Sequence, residues 1–139
     1  MWFGLGNREE KLVASQIDKK SAGNLGEDIA VSFLSKRDYH ILERNFRCRG
    51  GEVDIIACDP RDGALVFVEV KTRRNLSYGV PQVAVNQFKQ RKISKAALTW
   101  LSAKHLDDET GRFDVIAIMF LDDGDYAIEH IINAFEVAC

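Results

Sequence analysis

Residues 51–72 read GEVDIIACDPRDGALVFVEVKT, and this stretch decides the fold. Gly51 to Cys58 reads as a strand, and Ala64 to Thr72 resumes as another. Between them Asp59-Pro60-Arg61-Asp62-Gly63 is dense turn chemistry, Pro60 presetting φ and Gly63 accepting a positive φ. The two strands are expected to form a hairpin. Leu65 and Phe67 point to one face, and Val66, Val68 and Val70 to the other, so the later strand is apolar on both faces and belongs inside the sheet. A turn centred between Arg61 and Asp62 sets Asp54 opposite Glu69 and Glu52 opposite Lys71, with cross-strand side chains about 5 Å apart.

Two carboxylates and an amine therefore converge. Directly opposed carboxylates repel, and charge beside an apolar strand is costly to desolvate, so the arrangement calls for a compensating cation. Carboxylate oxygens suit Mg²⁺ or Mn²⁺, hard ions that keep several waters and use one or two protein carboxylates beside a substrate phosphate. Lys71, two residues along and on the same face as Glu69, would orient an attacking water or stabilise developing charge. By itself Glu69-Val70-Lys71 is a weak pattern that recurs by chance, and its strand context strengthens it. A cross-strand ion-pair ladder, Asp54 or Glu52 with Lys71, would explain the same residues without chemistry, and a one-residue slip would break the convergence.

Outward from the hairpin, Leu25, Ile29, Phe33 and Leu34 recur at helical spacing over residues 21–36, ended by Asp38. His40 to Phe46 reads as a short strand. Pro81 and Asn86 precede a helix reaching about Lys104, with Ile93, Ala97, Trp100 and Leu101 on one face and Lys89, Arg91, Lys92 and Lys95 crowding its first half. Phe113 to Phe120 and Tyr126 to Ile132 are two more strands around the acidic turn Asp122-Asp123-Gly124-Asp125. The order is αβββαββ, a single α/β domain over residues 19–139. Residues 1–18 read as a loosely held extension or a docking arm.

The net charge of −2 hides an asymmetry: residues 19–105 carry +7 and residues 106–139 carry −8. A basic middle attracts polyanions if its cations share a face, and solvated surface charge would give the same count. Cys48, Cys58 and Cys139 are odd in number and lack zinc-like spacing, which favours reduced thiols in a reducing compartment. His40, His105 and His130 have no mutual zinc spacing either. No apolar run approaches the roughly 18 residues of a membrane span, and the opening MWFGL does not read as a signal peptide, so a cytoplasmic protein with no membrane partner is expected.

The ordered set Gly23, Gly26, Glu27 and Ala30, then Arg44-Asn45 with Arg47, then Gly51-Glu52-Val53-Asp54, resembles the YraN-like family of uncharacterised bacterial proteins. The match continues through Val68-Glu69-Val70-Lys71 with Arg73, Gly79, Lys89 and Arg112-Phe113-Asp114-Val115, covering roughly residues 21–120. The family's glycine before the first strand is Asp38 here. That family is related to Holliday-junction resolvases and restriction endonucleases, so the resemblance implies a restriction endonuclease-like PD-(D/E)xK fold with a mixed β-sheet flanked by helices. It implies metal ligands at Asp54, Glu69 and the Val70 backbone carbonyl, a catalytic Lys71, and Glu27 reaching in from the first helix. Glu27 also stands three residues after Asn24, the spacing of a capping box.

Arg44, Arg47, Arg49, Arg73 and Arg74 lie beside the expected site, where guanidinium forks suit a phosphate backbone. Lys89 sits near the positive end of the second helix. Tyr78 and Phe88 could stack on bases, though isolated aromatics more often pack. Asp114 beside Arg112 reads as an ion pair or turn residue rather than a metal ligand. The leading expectation is a metal-dependent endonuclease hydrolysing DNA phosphodiester bonds at branched or otherwise non-standard structures, with DNA favoured over RNA. A homodimer would suit the cutting of a two-fold symmetric junction. The competing readings are a nucleic-acid-binding module without turnover and an interaction protein whose apolar arm, Trp2, Phe3 and Leu5, docks on a partner or a second copy.

Overall fold

The structure, a computed structural model, describes residues 2–3, 19–74, 85–109 and 111–137. Its elements are β1 (Trp2–Phe3), α1 (Lys19–Ser35), β2 (His40–Cys48), β3 (Gly51–Cys58), β4 (Leu65–Arg74), α2 (Gln87–Ala103), β5 (Gly111–Phe120) and β6 (Tyr126–Phe135). From α1 onward this is the expected αβββαββ order. One mixed sheet runs β1-β6-β5-β4-β3-β2, with β4 and β5 parallel and every other neighbour antiparallel. The parallel pair needs a long crossover, and α2 lies within it.

The apolar alternation of β4 sorts the core onto two faces. Val66 and Val68 join Ile55, Ile116, Ile118 and the α1 residues Ile29, Ala30, Phe33 and Leu34 in one cluster. Leu65 and Phe67 join Val53, Ile56, Val115 and the α2 residues Ile93, Ala97, Trp100 and Leu101 in the other. Each helix thus covers one face of the sheet, and β4 is central as its two-faced apolarity required. Trp2 and Phe3, read as part of a docking arm, pair with Glu129 and Ile128 of β6; Leu5 lies outside the described residues.

Two glycines let the helices approach the strands that carry the acids. A Cβ at Gly26 would stand 2.2 Å from Thr72 Cγ2, so α1 meets β4 there without a side chain. A Cβ at Gly51 would stand 2.4 Å from the Lys92 carbonyl oxygen, so the backbone of α2 rests directly on the start of β3. Asn86 caps α2, its Oδ1 accepting the Lys89 N–H at 2.9 Å.

Helix α1 ends in a Schellman turn: Tyr39 N–H donates to Leu34 O at 3.1 Å, Asp38 N–H donates to Ser35 O at 3.0 Å, and Asp38 takes φ +67°. This is the position where the resemblance places glycine, and the backbone shows why. Asp38→Gly should raise stability by ~0.5 kcal/mol, relief of the left-handed strain outweighing the glycine's added unfolded-state freedom, as urea unfolding would show; a loss would refute the strain argument.

Far along the sheet from Asp54, Asp59 and Asp114 are fully buried between cations. Arg112 donates from Nη1 to Asp59 Oδ2 and from Nε to Asp114 Oδ1 at 3.0 Å, while Arg61 Nη2 reaches Asp59 Oδ2 at 2.7 Å. Tyr39 and His130 complete the cluster, His130 Nε2 lying 2.8 Å from Asp114 Oδ2. Asp114 therefore has the ion-pair role expected of it. Arg61, with Arg112, holds Asp59 well below the ordinary carboxylate range. Arg112→Met would leave two buried carboxylates short of their shared partner, and a loss of about 3–5 kcal/mol is expected by urea unfolding. A loss below about 1 kcal/mol would show that the network does not hold the fold.

Among the described residues, Cys48 and Cys58 are free thiols, and no helix is long and apolar enough to cross a membrane. Cys139 lies outside the described residues.

Candidate active site

The β3–β4 ladder has the expected register, Cys58 opposite Leu65, Ala57 opposite Val66, Ile56 opposite Phe67 and Ile55 opposite Val68, and there its pairing ends. Past that point the Asp54 side chain takes over from the backbone: its Oδ2 accepts the Val70 N–H at 2.8 Å. The alternation of β3 also breaks here. Val53 belongs to the α2-side core and Ile55 to the α1-side core, although strand residues two apart normally share a face. On the neighbouring strand, between the pairs Arg44–Ile55 and Phe46–Val53, Asn45 takes φ +52°, a local distortion beside Asp54.

The consequence is a pair of carboxyl groups, Asp54 and Glu69, near enough to perturb one another. Burial, reinforced by Asp54, pushes Glu69 up to about 7. Burial also raises Asp54, against the opposing effect of the Val70 N–H. Glu27 is raised by burial and then by Asp54, which places the α1 carboxyl beside the pair. Its Oε1 is buried with no hydrogen-bond partner among the described residues, while Asn45 bonds to the same carboxyl group. A buried carboxylate oxygen left unpaired is costly, and it marks the spot as one that would welcome a donor or a cation.

Cations ring these acids. Lys89 Nζ stands 3.4 Å from Glu69 Oε1 and 3.9 Å from Glu52 Oε1. Burial works against its ammonium, but Glu69, Glu52 and Asp54 outweigh that and raise its pKa. Lys71, half-buried, is lowered by burial and by Arg73, against the pull of Glu69. A lysine so placed gives up its proton more readily than one in water.

Two expectations are corrected. Glu52 does not face Lys71 across a continuous ladder, because pairing stops at Ile55–Val68; its ion-pair partners are Arg47 at 3.6 Å and Lys89. The capping-box reading of Asn24 and Glu27 fails because α1 starts at Lys19, which puts both residues inside the helix. Arg44 pairs with Asp28 at 2.7 Å, and Arg73 Nη1 donates to its neighbour's carbonyl, Thr72 O, at 2.8 Å. Tyr78, Gly79 and Pro81 lie outside the described residues. The direct contact of Lys89 with Glu69 was not legible in sequence, and neither was Asn45 as a partner of Glu27. A clue to Asn45 existed, since Asn is among the few residues that tolerate positive φ within a strand.

Among the described residues no three His, Cys, Asp or Glu side chains are already gathered as a metal-binding group. What the site offers is a carboxylate pair, Asp54 and Glu69, with the orphaned Glu27 oxygen beside it. That donor set is all hard oxygen, and Mg²⁺ or Mn²⁺ needs only one or two protein carboxylates, so these residues fit such an ion.

A mixed sheet of αβββαββ order, flanked by helices and carrying acids on its central hairpin, makes this a single α/β domain. The chain belongs to the uncharacterised protein family UPF0102, which matches residues 26–118. It is 59% identical to a UPF0102 protein of Pelobacter propionicus over 97% of this chain and 96% of the relative. A UPF0102 protein of Geobacter sulfurreducens is 61% identical over 86% of this chain and 91% of its own. One from Caldanaerobacter subterraneus is 42% identical over 86% and 98%. Among solved structures, a chain of an EndoMS–double-stranded DNA complex aligns with 63% of this chain and 34% of its own at 19% identity and a TM-score of 0.39, a likeness from which no activity follows.

The raised Glu69 has a measurable signature in metal-free protein. The folded state keeps a proton up to about pH 7 that the unfolded chain releases near its ordinary 4.5, so stability falls as pH rises between those values and levels off above. Glu69→Gln removes the titration. Its melting temperature in EDTA should gain on the wild type as pH rises from about 4.5 to about 7, with a constant difference above. A difference that ignores pH would disprove the buried-proton account.

Proposed function

We propose that this protein is a Mg²⁺- or Mn²⁺-dependent endonuclease that hydrolyses phosphodiester bonds in DNA, with branched or otherwise non-standard DNA as its substrate. The observation that carries this reading is the pair of half-buried Asp54 and buried Glu69, with Lys71 two residues beyond Glu69 on the same strand. A protein gains nothing in stability by desolvating two facing acids, and such perturbed groups cluster where chemistry is done.

Asp54 and Glu69, with the Val70 backbone carbonyl, would hold the cation, and Glu27 would turn its unpaired Oε1 to the ion or to a bound water. When bound, the ion supplies polarisation of a phosphoryl oxygen and an acidified water. Lys71 orients the attacking water and meets charge that develops on the phosphate, its lowered pKa easing proton exchange at Nζ. Asp54 is itself oriented by the Val70 N–H, which leaves Oδ1 for other work.

Arg44, Arg47, Arg73 and Lys89 would grip the phosphate backbone. Arg44 and Arg47 are held by ion pairs whose members are well exposed, and such pairs are worth about 0–1 kcal/mol, so exchanging Asp28 or Glu52 for a phosphate costs little. The net positive charge of residues 19–105 favours the same polyanion. Free thiols at Cys48 and Cys58 suit a reducing cytoplasm, and a homodimer would suit paired cuts in a two-fold symmetric junction.

The test is cleavage of labelled linear, single-stranded and four-way-junction DNA with Mg²⁺ or Mn²⁺, beside an EDTA control. Asp54→Ala and Lys71→Ala should each reduce the rate by about a hundredfold or more. Variants that cut like the wild type would sink the site assignment. Salt-sensitive binding without cutting by pure wild-type protein would instead establish a DNA-binding module on this fold.

A further inference from the structure

We propose that Lys89 is a placeholder for the divalent cation: its ammonium bridges Glu69 and Glu52 in the metal-free site, and metal loading releases it toward the substrate phosphate. This rests on the metal-dependent reading above and adds a step that couples loading to the grip on DNA.

The geometry is specific. Lys89 Nζ is within 3.4 Å of Glu69 Oε1, an oxygen of the buried carboxyl that would hold the ion, and within 3.9 Å of Glu52 Oε1. Glu69 is nearly closed to solvent, its side chain 9% exposed, whereas the Lys89 side chain is 43% exposed. An ammonium and a dication on one carboxylate repel strongly where water is scarce, so one must give way. The lysine is the mobile member, a flexible stem carrying a point charge.

Its anchor does not move with it. Asn86 fixes the Lys89 backbone through the N-cap bond at 2.9 Å, and the backbone of α2 is seated on Gly51 by an approach too close for any Cβ. The stem therefore pivots about a fixed Cα. On leaving Glu69, the ammonium stays at the first turn of α2, where the helix N-terminus and the nearby Arg91, Lys92 and Lys95 favour an anion. A site without metal thus keeps this cation occupied, and a loaded site makes it available to phosphate.

The test needs no DNA and no turnover. Mn²⁺ binding to metal-stripped protein would be titrated by calorimetry for wild type, Lys89→Met and Lys89→Arg. Lys89→Met should bind Mn²⁺ at least about fivefold more tightly than wild type, the lower end of ordinary coupling between sites, while Lys89→Arg keeps a competing charge and stays near wild type. Equal or weaker binding by Lys89→Met overturns the proposal. As a measurement independent of any substitution, the Lys89 Nζ and Cε resonances of labelled wild type should shift on saturation with diamagnetic Mg²⁺, and resonances that do not respond also overturn it.

The two readings fail separately. Wild type that binds Mn²⁺ and cuts DNA, with Lys89→Met no tighter, leaves the nuclease and removes the placeholder. Tighter binding by Lys89→Met in a protein that cuts no DNA keeps the placeholder and removes the nuclease. No Mn²⁺ binding by any of the three proteins removes both.

Discussion

The site depends on one hydrogen bond, from the Val70 N–H to Asp54 Oδ2 at 2.8 Å. A buried amide must find an acceptor, and where the β3–β4 ladder ends at Ile55–Val68 a side chain supplies one in place of a carbonyl. That substitution holds Asp54 against the central strand, one residue from Glu69. The adjoining distortion at Asn45 and the break in the alternation of β3 accommodate the turn of the chain. Desolvation of both acids follows from the position, and their raised pKa values follow from the desolvation.

The same domain contains a second set of buried acids that solves this problem differently. Asp59 and Asp114 are fully enclosed, yet both are lowered: Arg61 and Arg112 hold Asp59 down, and His130 and Arg112 outweigh burial at Asp114. Asp54, Glu69 and Glu27 are all raised, by burial first and, for Glu69 and Glu27, by Asp54 next. Compensated acids hold strands together, whereas under-compensated acids leave room for an ion or a proton. The direction of the shift, rather than burial alone, separates a structural cluster from a candidate catalytic one.

Two close backbone approaches bring the helices to that site. At Gly26 helix α1 presses against Thr72, and Glu27 follows directly in the chain; at Gly51 the backbone of α2 rests on β3, and Glu52 follows directly there. A side chain at either glycine would lift a helix and carry off a charged group, Glu27 from one side of the sheet or Lys89 from the other. The precision of the charges is thus set by the absence of two Cβ atoms.

Much of this was legible from residue order, because period-two alternation and turn chemistry act locally. The two apolar faces of β4 required a central strand, and the turn from Asp59 to Gly63 set the hairpin register as far as Ile55–Val68, one step short of Asp54 and Glu69. The same sequence pattern carried the register too far, pairing Glu52 with Lys71, since periodicity carries no information about where a ladder stops. It also could not show that α1 extends back to Lys19, that Asn45 would bend β2, or that Lys89 would reach across from α2 to Glu69. Local pattern determined the elements and their faces. Which charges meet, and how far each is removed from water, was settled by long-range packing, because desolvation and Coulomb energy depend on distances between residues far apart in the chain.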